Sequence, residues 1–167
     1  MYGNALVTET MPRVSPAVSI AVESFDIFWH DGQELFAEHE AETGVRLQDI
    51  DIDLVRLLDK MGMALFLVAR SAGQMVGYIT YIIGPSLEKK GERLAEQKPF
   101  FVRKGYRGFG AIGPKLHARA KEILRDRGVN HILMRAGTRG VGDRQRVLFE
   151  REGAVYMGDL YYLTLEP

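Results

Sequence analysis

The chain has 167 residues, enough for one domain of ordinary size, and 46% of them are hydrophobic, enough for a sizeable core. Twenty-two basic residues balance twenty-two acidic ones, which removes a whole-protein field for nucleic acid and leaves room only for a local basic patch. There is no cysteine, which excludes disulfides, thiolate catalysis and cysteine-ligated zinc and fits a reducing compartment.

Met1 to Pro16 carries Glu9, Arg13 and two prolines, and lacks the basic start and apolar core of a signal peptide. No apolar run approaches the roughly 20 residues of a membrane span. The expectation is a cytoplasmic protein with a flexible segment over 1–16 and a single domain over 17–167. Val18 to Val22 alternates weakly and reads as a first strand. Phe25 to Thr43 reads as helix, with Phe28, Leu35 and Phe36 on one face, Glu34, Glu38 and Glu42 on another, and Gly44 as its cap; Gly32 is a point where it can split. Leu54, Leu57, Leu58 and Met61 repeat at helical spacing, with Asp51 or Asp53 as N-cap.

The middle of the chain reads as β. Ala64 to Arg70 and Met75 to Ile83 flank the turn Ser71-Ala72-Gly73-Gln74, a hairpin signal that Gly84-Pro85 is expected to stop. Leu94 to Val102 reads as a third strand, and Pro99 inside it predicts an edge position or a bulge. A helix with the stripe Leu116, Ala120, Ile123 and Leu124 runs to Gly128. A short strand over Asn130 to Arg135, a loop over Thr138 to Gly142 and a helix over Arg144 to Glu152 follow. Val155 and Leu160 to Leu165 supply the last strand or strands. The order is therefore β-α-α-β-β-β-loop-α-β-α-β, which is not the alternation of a doubly wound nucleotide fold.

The loop before the Leu116 helix is Arg107-Gly108-Phe109-Gly110-Ala111-Ile112-Gly113. Strand, glycine-rich turn and helix N-terminus together form an anion cradle, because the free amides of the first turn point at the ligand and the dipole favours negative charge. The loop lacks the Gly-Lys-Ser/Thr ending of a P-loop, and no βαβ unit with a later acidic residue surrounds it.

Tyr106 to Ala111 after a strand, a helix ending in Arg127-Gly128-Val129, and Leu148-Phe149-Glu150-Arg151-Glu152-Gly153-Ala154 before a tyrosine-rich final strand resemble the GNAT N-acetyltransferase superfamily. Gly77-Tyr78-Ile79 in the second hairpin strand fits as well, and the resemblance covers about Ala64 to Leu165. The overall look is closest to small GNAT-like proteins of bacteriophages and bacteria. The resemblance implies an α/β (α+β) fold, a mixed, mostly antiparallel twisted sheet flanked by helices. It also implies acetyl-CoA as co-substrate, no metal, and acetyl transfer to an amine.

The family's loop signature, Arg/Gln-x-x-Gly-x-Gly/Ala, matches here in either of two registers with one departure each. Arg107 and Gly110 match but Ile112 replaces the small last residue, or Gly108 and Gly110 match but Gly105 replaces the leading Arg or Gln. Gly113 restores flexibility to a stretch that looks one residue long. Carried onto this sequence, the family's cofactor contacts fall on Phe101 and Val102 of the third strand, on Arg107, Gly108, Phe109, Gly110, Ala111, Ile112 and Gly113, and on Arg144. The general base falls on Glu96, with Glu92 second, against the plain reading of a solvated carboxylate. The usual acid is a tyrosine where this chain has Phe149, and the asparagine that often opens that helix is replaced by Gly142. Tyr156, Tyr161 or Tyr162 are the substitutes, with Tyr156 taken first, although core packing is the preferred reading for the tyrosines of the final strand.

His39-Glu40-Ala41-Glu42 with Glu38 is read as a solvated helical face in preference to a metal site. Arg103, Lys104, Arg107, Lys115, Arg135, Arg139, Arg144 and Arg146 are a solvated surface, or contacts to the phosphates of CoA; a nucleic-acid surface has no interleaved aromatics to support it. The glutamates of the Phe25–Thr43 helix favour a cationic acceptor such as a lysine side chain or polyamine. Direct attack by a primary amine is expected, since no nucleophile is available for an acyl-enzyme. The alternative is a GNAT-fold protein that binds CoA or serves a structural role without turnover. Exposed strand edges are compatible with a homodimer.

Overall fold

The computed structural model describes residues 17–108, 111–137 and 143–158, with Asp143 and Arg144 described by their backbone alone. Five strands form one sheet in the order β1 (Val18–Glu23), β2 (Ala64–Ser71), β3 (Gln74–Pro85), β4 (Arg93–Val102), β5 (His131–Leu133). The first three pairings are antiparallel and the last, β4 with β5, is parallel. The helices are α1 (Phe25–Asp31), α2 (Gln33–Thr43), α3 (Ile52–Lys60), α4 (Ile112–Asp126) and α5 (Asp143–Arg151). This is the mixed, mostly antiparallel sheet flanked by helices expected above.

Alternation along β2 builds a core on each face of the sheet. Leu65, Leu67 and Ala69 point to one face, where Leu116, Ala120 and Leu124 of α4 cover them. Ala64, Phe66 and Val68 point to the other, where Phe25, Phe28, Leu35 and Phe36 of α1 and α2 cover them. The second core is aromatic: Phe28 lies 5.0 Å from both Phe36 and Phe66 and meets Tyr78 edge-on. Because both faces are covered, β2 is a nearly continuous buried run instead of a half-polar strand.

Local chemistry fixes the helix ends. Ser24 Oγ accepts from the Ile27 amide to cap α1, and Asp51 Oδ1 accepts from the Leu54 amide at 2.9 Å to cap α3. Gly32 does split the Phe25–Thr43 segment. A Cβ there would stand 2.3 Å from the Phe36 ring and 2.6 Å from the Phe28 carbonyl, so only glycine lets α2 turn back onto α1. The Phe25 amide donates to Asp59 Oδ2 at 2.8 Å, tying α1 to α3. Arg70 grips Glu23 through both carboxylate oxygens at 2.6 and 2.8 Å and also reaches Asp31, which locks edge strand β1 to β2.

Gly84 and Pro85 are the last two residues of β3, paired with Leu94 and Arg93, so the strand ends at the proline and runs two residues past Ile83. Two expectations need correction. Leu54, Leu57 and Met61 of the α3 stripe face outward, and the helix packs inward through Val55 and Leu58. Val155 is outside any strand and exposed. The expected loop over Thr138 to Gly142 and the strand over Leu160 to Leu165 lie outside the described residues.

Candidate active site

The site follows from how β4 is flanked. On one side it pairs with β3 from Val102 back to Arg93. On the other it pairs with β5 only at Leu94, Ala95 and Glu96, opposite His131, Ile132 and Leu133. Among the described residues the edge from Gln97 to Val102 has no second strand. The register also slips there: Tyr81 faces Gln97 and Ile79 faces Phe100, so Lys98 and Pro99 together oppose Thr80. This is the bulge that Pro99 predicts, and Thr80 Oγ1 donates to the Pro99 carbonyl at 3.3 Å to hold it.

The open edge forms one wall of a cleft of about 820 Å³, a volume suited to a cofactor-sized ligand. The opposite walls come from α2 (His39, Glu42, Thr43), from the start of α4 (Ala111, Ile112, Gly113) and from the β5–α5 side (Arg135, Gln145, Arg151). Past the end of β4 a single 3₁₀ turn, Lys104–Tyr106, leads into the glycine loop. Gly108 takes φ +80° with open space around it, so the backbone is unshielded there. Ala111 has φ +51°, an uncommon value for a residue with a Cβ, and brings the chain into α4. Among the described residues no side chain caps α4, and its first turn holds no acidic residue. The Ile112 and Gly113 amides therefore remain as donors with the positive end of the dipole behind them.

Of the cofactor contacts carried over from the family, Phe101, Val102, Arg107, Gly108, Ala111, Ile112 and Gly113 all line this cleft. Phe109 and Gly110 lie outside the described residues, and Arg144 is described by its backbone only, as part of α5. Arg107 is not free for a phosphate. Its guanidinium grips Glu42 through two bonds of 2.6 and 2.8 Å, donates from Nε to the Val102 carbonyl at 2.6 Å, and lies 4.9 Å over the Phe101 ring. Arg107 in turn holds the Glu42 carboxyl below the usual range.

The acidic face of α2 reads differently in three dimensions. Arg103 takes Glu34 and Glu38, and Arg107 takes Glu42, so these glutamates bind the end of β4 instead of presenting bare charge to an acceptor. The charged residues lining the cleft are Glu42 against Lys98, Arg107, Arg135 and Arg151, a cationic balance that favours an anionic ligand.

The candidate acid–base residues are dispersed. Glu96 is not among the cleft-lining residues. Burial pushes its carboxyl up, but Lys98 at 2.9 Å and Arg135 at 2.5 Å win and hold it below the usual range. Glu92 is bonded to His131 on the surface. Tyr156 follows α5, is 66% exposed, and is also outside the cleft. Tyr161 and Tyr162 lie outside the described residues. Phe149, at the family's tyrosine position, is buried edge-on against His117, whose other side meets Phe100. Among the described residues no group of acidic and histidine side chains is arranged to hold a metal ion.

His39 joins the site without any signal for it in the sequence. It is 5% exposed and lines the cleft, with Nδ1 2.6 Å from the Tyr78 hydroxyl and its ring stacked on Phe101 at 4.5 Å and 15°. Its partner stands 39 positions away on β3, so no local pattern could announce it.

The sequence model of the Acetyltransferase (GNAT) family matches residues 24–153. No curated protein matches the chain. Among solved structures, the ribosomal-protein-alanine N-acetyltransferase of Brucella melitensis biovar Abortus 2308 superposes with a TM-score of 0.67 at 23% identity, over 90% of this chain and 100% of that one. An aminoglycoside acetyltransferase from an uncultured soil metagenomic sample, in complex with sisomicin, gives 0.70 at 20% identity over 89% and 97%. A predicted acetyltransferase of Clostridium acetobutylicum, solved with acetyl-CoA, gives 0.67 at 15% identity over 89% and 96%. With the family matched over most of its length and the fold shared, the chain belongs to the GNAT acetyltransferases.

Proposed function

We propose that this protein transfers an acetyl group from acetyl-CoA to a primary amine, on a protein or a small molecule, by direct attack of the amine on the thioester. The carrying observation is the continuity of the open β4 edge with the uncapped N-terminus of α4. A long ligand with a peptide-like arm and a pyrophosphate fits this run: the arm lies beside the backbone of Phe101 and Val102, and the pyrophosphate lies on the Ile112 and Gly113 amides. The cationic lining and the solved relative with acetyl-CoA support the same ligand. The bulge at Lys98–Pro99 interrupts the ladder to β3, and in this reading the thioester lies beside it, within reach of a backbone donor.

In this reading the amine loses a proton, its nitrogen bonds to the thioester carbon, and the carbon–sulfur pair leaves on sulfur as the CoA thiolate. Phe149 offers that thiolate no hydroxyl, so it takes its proton from solvent or from the attacking ammonium. Glu96 is the carboxylate that would accept the amine's proton, through water, against the pull of Lys98 and Arg135. Tyr156, exposed beyond α5, has the weaker claim as acid.

Calorimetric titration with acetyl-CoA, followed by thiol release with a panel of amines, tests the proposal. Binding with amine-dependent CoA release is expected, and no binding would refute it. Binding without release across the panel would favour the second reading, a CoA-binding protein without turnover, which Phe149 supports. Glu96→Gln should cut release while keeping affinity, and an unchanged rate would remove Glu96 as base.

A further inference from the structure

The His39–Tyr78 pair settles which ring nitrogen is engaged within the fold and which is left for a ligand. Tyr78 is 1% exposed, and among the described residues its hydroxyl has no partner but His39 Nδ1. A buried hydroxyl proton without an acceptor is costly, whereas a phenol oxygen that merely accepts nothing is tolerated more easily. The Tyr78 O–H therefore donates to Nδ1, and the imidazole proton resides on Nε2. Nε2 has no partner among the described residues. Burial keeps the ring neutral, with its pKa lowered to about 4 while Glu42, Arg107 and Glu40 act around it. Two contacts hold the ring in place: the bond from Nδ1 to the Tyr78 hydroxyl and the stack on Phe101.

An uncharged, fixed N–H suits an uncharged carbonyl oxygen and does not suit a phosphate, which the α4 end of the cleft already serves. Resting on the acetyl-CoA reading above, we propose that His39 Nε2–H donates a hydrogen bond to a carbonyl oxygen of the acyl-pantetheine arm, with Tyr78 as the positioning residue that fixes the tautomer. The carbonyls of that class are the thioester and the pantetheine amides. At the thioester the bond would strengthen as charge grows on oxygen during attack.

Calorimetry of His39→Asn and His39→Gln with acetyl-CoA, CoA and adenosine 3′,5′-bisphosphate tests this. Asn keeps a partner near Nδ1 for Tyr78 but has no donor at Nε2, and affinity should fall about five- to tenfold. A fall for acetyl-CoA alone assigns the thioester. A fall for acetyl-CoA and CoA alike assigns a pantetheine amide. The bisphosphate, which lacks both, should bind unchanged, and Gln, whose amide nitrogen reaches toward Nε2, should recover part of the loss. Unchanged binding of both acetyl-CoA and CoA, or equal weakening of all probes, overturns the inference. If the wild-type protein binds none of them, the CoA reading itself falls and this inference with it. A measurement on the wild-type chain guards against misfolded variants: long-range ¹H–¹⁵N spectra should show the Nε2–H tautomer of His39, and the Nδ1–H tautomer would overturn the assignment.

Discussion

The two flanks of β4 are built from one strand and do opposite work. Toward β3 the ladder spans Arg93 to Val102, broken at the Lys98–Pro99 bulge, and continues into the β2 and β1 pairings, with Ile79, Tyr81 and Ile83 buried behind it. Toward β5 the ladder stops after three residue pairs, and the edge beyond it is the wall of the cleft. The closed flank satisfies its backbone internally and carries stability. The open flank leaves backbone groups and a helix N-terminus for a ligand to satisfy. A family that keeps its fold while changing acceptors can vary the second flank without touching the first.

The largest expected break of this contrast is on the closed side. Ile79→Ala should lower the unfolding free energy by about 2–5 kcal/mol, measured by urea denaturation, because the site cannot collapse around the lost atoms. Acetyl-CoA affinity of the folded protein should hold. An equal fall in affinity would show that the two flanks are not separable.

His117 lies behind the open flank, 1% exposed, and among the described residues neither ring nitrogen has a partner. His117→Phe should raise stability at pH 7 by about 1–3 kcal/mol, since it removes unsatisfied polar atoms between Phe100 and Phe149. Burial lowers the His117 pKa to about 4 from 6.5. The unfolded chain therefore binds the extra proton first, and stability present above pH 6.5 is lost as pH falls through 4. The gap between variant and wild type should widen over that interval, and unfolding midpoints at pH 7, 5.5 and 4.5 measure it.

Two smaller changes sharpen the open side. Glu42→Gln releases Arg107, whose donors then become available to a phosphate. Acetyl-CoA affinity should rise roughly threefold in calorimetry, with less than about 1 kcal/mol lost from stability. An unchanged affinity would make Arg107 a staple between α2 and β4 and nothing more. Ala111→Gly relieves the left-handed conformation at the start of α4 and should stabilise by about 1 kcal/mol, seen as a small rise in Tm.

Most of the closed flank is legible in the sequence. The hairpin Ala64–Ile83, the split at Gly32 and the α4 stripe appear as periodicity and punctuation, because they depend on neighbours a few positions apart. The glycine loop and the bulge at Pro99 are legible for the same reason: each rests on residue types that restrict their own backbone. The charged and aromatic pairings of the site are not. Arg107 carries the right charge for a phosphate, yet Glu42, 65 positions away, occupies it. Glu96 carries the right carboxylate, yet Lys98 and Arg135 weaken it as a base.

The sequence by itself determined the central hairpin, the α4 stripe, the glycine loop before it and the family resemblance, since these follow from local backbone preference and hydrophobic period. Only the tertiary structure decided which side chains face the cleft and in what protonation state. His39 is the clearest case: in sequence it belongs to an acidic helical face, and in the fold Tyr78 and Phe101 fix it as a neutral donor. Protonation and orientation depend on burial and on partners brought together by the fold, and neither is written in spacing along the chain.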